Sequence, residues 1–143
     1  MSKKFSATVR LVINADPPAV WKGLTDPAMV KQYFFGTNLA TDWKKGSPIY
    51  FRGEWEGKPY EDKGTILNVL PGKHIKYSYW SSMSGTPDIP ENYATISYDL
   101  TKEGASTALT ITQDGIDTAE RKNHTEETWK HVMEGLKNLV EGK

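Results

Sequence analysis

The chain contains no cysteine. That excludes disulfides, thiolate metal ligands and a cysteine nucleophile together. It also has no excess of charge: 18 Lys and Arg balance 18 Asp and Glu in 143 residues. Without a net field to gather polyanions, neither nucleic acid nor an anionic membrane is an expected partner. The pairs Lys3-Lys4 and Lys44-Lys45 are too short to alter this. Apolar runs are short as well; none approaches the roughly 20 residues of a membrane-spanning helix, and MSKKFSATVRLVINADPP holds no signal-peptide core. The expectation is a single cytoplasmic domain over residues 1–143, without membrane insertion. Asn123-His124-Thr125 matches a glycosylation sequon only formally.

What the chain does have is aromatic mass: five Trp, seven Tyr and four Phe. Phe5, Ala7, Val9, Leu11 and Ile13 alternate through FSATVRLVINA, the period of a half-buried strand. Asp16-Pro17-Pro18 and Asp26-Pro27 are helix starts, a capping aspartate before a proline whose missing N–H is harmless there. Two short helices therefore follow the first strand. SPIYFRGEW, PYEDKGTILNVL, HIKYSYW, YATISYDL and STALTITQDG read as strands separated by turns at Glu56-Gly57-Lys58-Pro59, Pro71-Gly72 and Lys102-Glu103-Gly104. In the second of these, Leu67 and Val69 fall on one face. Ser81 to Asn92 is a long loop whose prolines disfavour regular structure, and loops of this length often bind or cover ligands. The last element is a helix, secure from Thr128 to Val140, with a start between Asp117 and Thr125. Its stripe of Trp129, Val132, Met133, Leu136, Leu139 and Val140 must cover the apolar face of the sheet.

Gly135 interrupts that helix at a cost of about 1 kcal/mol relative to alanine. It lies about 100° from the centre of the stripe, so it either lets the helix pack closely on a strand or leaves a gap at a cavity mouth.

Patterns that would announce other chemistry are missing. His124 and His131 stand seven apart on a face predicted to be solvated, too far for an i, i+4 metal pair, so no metal is expected. No serine sits in a nucleophile elbow and no glycine loop is built for phosphate, so no cofactor is expected. Glu54, Glu56, Glu61 and Asp62 read as solvated turn carboxylates, Arg52 as solvent-facing and His74 as a surface residue. No catalytic residue is assigned.

The order of elements, with INADPPAVWKGLTDPAMVKQYF, GTILNVLPGKHIKYSYW, TISYDLTKEGASTALTITQDG and TWKHVMEGLKNLV, resembles the START-like (SRPBCC, helix-grip) superfamily. Within it, the chain is most similar to AHSA-type proteins, like the C-terminal domain of the activator of heat-shock protein 90 ATPase. It departs from them at Tyr33, where a tryptophan is usual, and at Thr128-Trp129, where the usual pair is Gly-Trp. The resemblance implies an α+β fold in which about seven curved antiparallel strands grip the last helix over an interior cavity. It implies binding of a small apolar molecule, a lipid or an aromatic metabolite. A cyclase- or dehydratase-like reaction in the same cavity, or a chaperone-activator role, are alternatives; a chaperone and a second copy of the chain are further partners to consider. The candidate cavity residues are Trp21, Tyr33, Phe51, Trp55, Tyr60, Tyr79, Met83, Tyr98, Gln113, Trp129, Val132, Met133, Gly135 and Leu136. Among them the hydrogen-bonding groups of Tyr, Trp and Gln113 would orient a guest. Met83 and the loop prolines would close the entrance.

Overall fold

The computed structural model describes residues 5–34, 36–82 and 85–142, with Trp55 described in its backbone only. β1 (Phe5–Ile13) is followed by α1 (Pro17–Thr25) and α2 (Pro27–Tyr33), then β2 (Asn38–Ala40), β3 (Pro48–Trp55), β4 (Lys58–Leu70), β5 (His74–Tyr79), β6 (Ala94–Glu103), β7 (Ser106–Ile116) and α3 (Ala119–Glu141). The strands form one antiparallel seven-stranded sheet in the order β1-β7-β6-β5-β4-β3-β2. It curves around α3, giving the α+β helix-grip fold. No helix among the described residues is long and apolar enough to cross a membrane.

Local chemistry sets the boundaries. Asp16 and Asp26 accept hydrogen bonds from the amides of Ala19 and Ala28, with proline at the first turn of both short helices. Thr118 caps α3 by accepting from the Arg121 amide, so the earlier of the two starts is used. Glu56 and Gly57 both take positive φ (53° and 79°), the geometry of a two-residue hairpin turn matched to strand twist. β2, with only three residues, carries too short a pattern to be seen in sequence. The loop after β5 is less irregular than expected, with one 3-10 turn at Pro90–Asn92.

β4 links two halves of the sheet. Its first part pairs with β3 from Trp55↔Lys58 to Pro48↔Thr65; its second pairs with β5 from Ile66↔Tyr77 to Leu70↔His74. At the crossing, a side chain on Gly64 would meet the Ser78 carbonyl. A bulge between Ile66 and Asn68 then resets the alternation, so Ile66 is buried and Leu67 is exposed. Leu67 and Val69 therefore do not share a face, since Val69 packs against the core: an extra residue in one strand turns the side chains beyond it over.

The inner face of the sheet and the stripe of α3 form one core around Ile13, Ile49, Ile75, Leu109, Met133 and Leu136. α3 also lies along the outer edge of β1. Glu126 accepts from the Thr8 amide, Glu141 from the Asn14 amide, and Lys137 donates to the Val12 carbonyl.

Candidate functional site

Packing leaves a space beneath the N-terminal half of α3. The space there has a volume of about 370 Å³. α3 supplies His124, Thr125, Thr128, Trp129 and Val132; the strands supply Phe51, Tyr60, Asp62, Tyr77, Tyr79, Ile96 and Gln113; Phe34 and Thr37 close the side after α2.

Aromatic contacts make most of the wall. Phe51 stacks with Phe34 at 5.9 Å between ring centres and meets Tyr79 edge-on at 5.7 Å. Phe34 in turn meets Trp129 edge-on at 6.0 Å. Gly53 pairs with Tyr60 across β3 and β4, and a Cβ there would fall 2.7 Å from the Tyr60 hydroxyl. The glycine thus makes room for the ring, whose hydroxyl pairs with Thr37 Oγ1 at 2.6 Å.

Polar groups on the wall are held by protein partners. Trp129 Nε1–H donates to Gln113 Oε1 at 2.9 Å, which explains an amide on the buried parity of β7. The Tyr77 and Tyr98 hydroxyls share a hydrogen bond of 2.7 Å. Asp62 is only 9% exposed. Its Oδ2 accepts from the Tyr79 hydroxyl at 2.6 Å and its Oδ1 from the Ser82 amide at 3.0 Å.

Burial, then the Asp62 carboxylate, push the Tyr79 phenol well above its usual range, so it remains a proton donor to Asp62. Burial also raises Tyr77 and Tyr98; the shared hydrogen bond opposes the rise in Tyr77, and the neighbouring Tyr77 adds to it in Tyr98. Unfolded tyrosines ionise near pH 10. Above that pH the unfolded chain releases protons that the folded chain keeps, so the stability from these phenols is complete below about pH 10 and lost as pH rises further. Each such tyrosine contributes a slope of about −1.4 kcal/mol per pH unit there. Chemical denaturation across the alkaline range is expected to show a shallower loss for Tyr98→Phe than for the wild-type chain. Equal slopes would contradict the assignment.

Of the residues singled out from sequence, Phe51, Tyr60, Tyr79, Gln113, Trp129 and Val132 line the space. Tyr98, Met133 and Leu136 are buried in the core and do not line it, Tyr98 standing directly behind the wall residues Tyr77 and Trp129. Tyr33 and Trp21 are half-buried against the core and do not line the space, the Tyr33 hydroxyl donating to the Gly23 carbonyl at 2.8 Å. Met83 and the side chain of Trp55 lie outside the described residues. Neither Pro87 nor Pro90 is among the residues lining the space. Pro90 lies on the opposite face of the sheet with Tyr50, Lys63 and Tyr93, where Asp88 pairs with Lys63 at 2.5 Å.

Gly135 proves to be neither a gap nor a strand contact. A Cβ there would sit 3.0 Å from Tyr33 Cβ, so it is α2 that approaches. Gly135→Ala is expected to stay within about 1 kcal/mol of the wild type, because helix propensity offsets the tight contact. Gly135→Leu is expected to cost about 2–3 kcal/mol through overpacking. Urea melts of both variants check this; a neutral leucine would mean that the helices are not in contact.

Sequence reasoning also misplaced charged groups. Asp62 is not a solvated turn carboxylate: it sits on the inward parity of β4, while its neighbour Glu61 faces water and pairs with Arg52 at 2.6 Å. His124 stays exposed but stands at the cavity mouth rather than on a face turned away, because the first turns of α3 overhang the opening. His74 is half-buried and bonded to Asp99 at 2.7 Å. Among the described residues no cluster of His, Asp and Glu could hold a metal ion.

The comparisons with known proteins now have a site to bear on. The family model for activator of Hsp90 ATPase homolog 1-like proteins, AHSA1, matches residues 14–141. The chain belongs to the AHSA1 family. Protein ChR145 of Cytophaga hutchinsonii, solved in solution, is 42% identical to this AHSA1 chain; the match covers 99% of the chain and 97% of ChR145, with a TM-score of 0.86. MLL2253 of Mesorhizobium loti shares the fold at 18% identity and a TM-score of 0.79, over 97% and 98% of the two chains. So does the Aha1 dimer of Colwellia psychrerythraea, at 18% identity and a TM-score of 0.74, over 95% and 96%. A search of the curated proteins gives no match.

Proposed function

We propose that this protein binds a small, largely apolar molecule in the space beneath α3. The observation that carries this reading is a volume of about 370 Å³ walled by Phe34, Phe51, Tyr77, Tyr79 and Trp129. Ligand sites occupy roughly 300–1,000 Å³ and combine apolar walls with a few polar groups, as here. A thermal-shift panel of neutral aromatic and aliphatic compounds tests it, with native mass spectrometry as a second readout. Binding to the folded state raises the melting temperature with ligand concentration. Thr128, half-buried at the mouth, offers a control: Thr128→Trp is expected to abolish the shifts while remaining folded. Silence of the wild-type chain across the panel would end the reading.

A reaction in the same cavity is the second reading, and Asp62 favours it, since acid–base work needs a titratable group inside the site. Turnover of a bound compound that is lost in Asp62→Asn, with binding retained, would decide for catalysis. Family membership keeps a chaperone contact among the partners to test, and the dimeric Colwellia relative does the same for a homodimer. A pull-down and sedimentation of the pure chain read these separately.

A further inference from the structure

The cavity wall is unevenly charged. Asp62 is its one carboxylate, and among the described residues neither Lys nor Arg lines it. Nearby cations are engaged elsewhere: Arg52 pairs with Glu61 and lies over the Tyr50 ring, and Lys63 pairs with Asp88 on the opposite face of the sheet. Asp62 is held instead by neutral donors: the Tyr79 hydroxyl on Oδ2, and the Ser82 amide with the Ser82 hydroxyl, at 3.5 Å, on Oδ1. A carboxylate has about four acceptor sites, two on each oxygen, so Oδ2, which accepts only from Tyr79, keeps capacity for a further donor.

Taking the apolar-ligand reading as given, we propose that the cavity selects ligands carrying a hydrogen-bond donor head, an amine above all, and rejects carboxylates. Folding has already desolvated and oriented Asp62, so an incoming ammonium meets a prepared partner and brings only its own desolvation cost. A hydroxyl donates to the same oxygen without the charge. A carboxylate ligand would set its own carboxyl group against that of Asp62 between aromatic walls, with neither Lys nor Arg among the lining residues to receive it. Gln113 supplies only neutral N–H donors, its oxygen being taken by Trp129. His124 is exposed at the mouth, where solvent weakens its pull on an anion. Free fatty acids are accordingly poor guests, whereas alcohols and amines with an aromatic or aliphatic body fit the wall.

Two matched series test this by titration calorimetry at neutral pH: 1-naphthylmethylamine, 1-naphthylmethanol and 1-naphthoate, and decylamine, decanol and decanoate. The amine is expected to bind at least about tenfold more tightly than the carboxylate of the same body, with the alcohol between them. In Asp62→Asn, which preserves shape and most hydrogen bonding, the amine-to-carboxylate ratio is expected to fall toward one. Alcohols that bind while carboxylates equal or outrank amines would overturn the proposed selectivity and leave the apolar cavity reading standing. So would an amine preference that survives in a folded Asp62→Asn. Failure of all six compounds with the wild-type chain would overturn both. The wild-type ranking decides even where the variant does not fold.

Discussion

Gly64→Ala is expected to melt about 10 °C or more below the wild-type chain. The added methyl would lie 1.6 Å from the Ser78 carbonyl oxygen and 2.5 Å from its carbon, well inside contact distance. Those atoms are backbone, and they sit where β4 leaves β3 for β5, so relief requires the two halves of the sheet to move apart. Overpacking in a core costs about 1–3 kcal/mol when side chains can give way. Here none can, and about 3 kcal/mol is a lower expectation. For a chain of this length that is on the order of 10 °C. Thr65→Ala, an exposed change one residue along, supplies the control. If both variants melt within a degree or two of the wild type by calorimetry, the crossing is looser than described.

Trp129→Ala is expected to cost about 3–5 kcal/mol and to weaken binding of any cavity ligand. Trp129 is 7% exposed and touches both Phe34 and Tyr98 edge-on, so its loss opens a void continuous with the existing one. It also strips Gln113 of its donor, leaving a half-buried amide oxygen to find another partner. Trp129→Phe separates the two effects: it keeps most of the ring contacts and loses only the N–H, so its stability is expected to fall between the wild type and alanine. Equal losses for the two variants would assign the cost to the hydrogen bond. Near-neutral alanine would mean that α3 is not seated on the wall at this point.

Strands and helices were legible because alternation and capping are local. Phe5 to Ile13, the Asp-Pro helix starts and the stripe of α3 each follow from a few neighbouring residues. Depth beneath the sheet is not local. Tyr79 and Tyr98 both read as inward, yet Tyr79 faces open space while Tyr98 lies against Tyr77 and Trp129 in packed core. What separates them is how far α3 stands off the sheet at each position, and periodicity does not carry that. Asp62 reads as a solvated turn carboxylate because it clusters with Glu54, Glu56 and Glu61 and such groups are rarely buried. Projecting the face of Leu67 and Val69 backward along β4 turns Asp62 to solvent, whereas Tyr60, Asp62, Gly64 and Ile66 share the inward face. The bulge at Leu67 reverses the parity between the two halves. Ile66, two residues after the glycine and on the parity of Asp62, was the available clue.

The seating of α3 along β1 has a bearing on how copies of this chain can meet. The rim that β1 would offer to another strand has its Thr8 and Asn14 amides and its Val12 carbonyl occupied by Glu126, Glu141 and Lys137, and the far rim is the three-residue β2. Neither margin is a long ribbon of unpaired amides on which a neighbour could continue the β-structure. Self-association by strand addition is thereby discouraged at both borders, and any pairing of molecules falls to their helical or outer sheet surfaces.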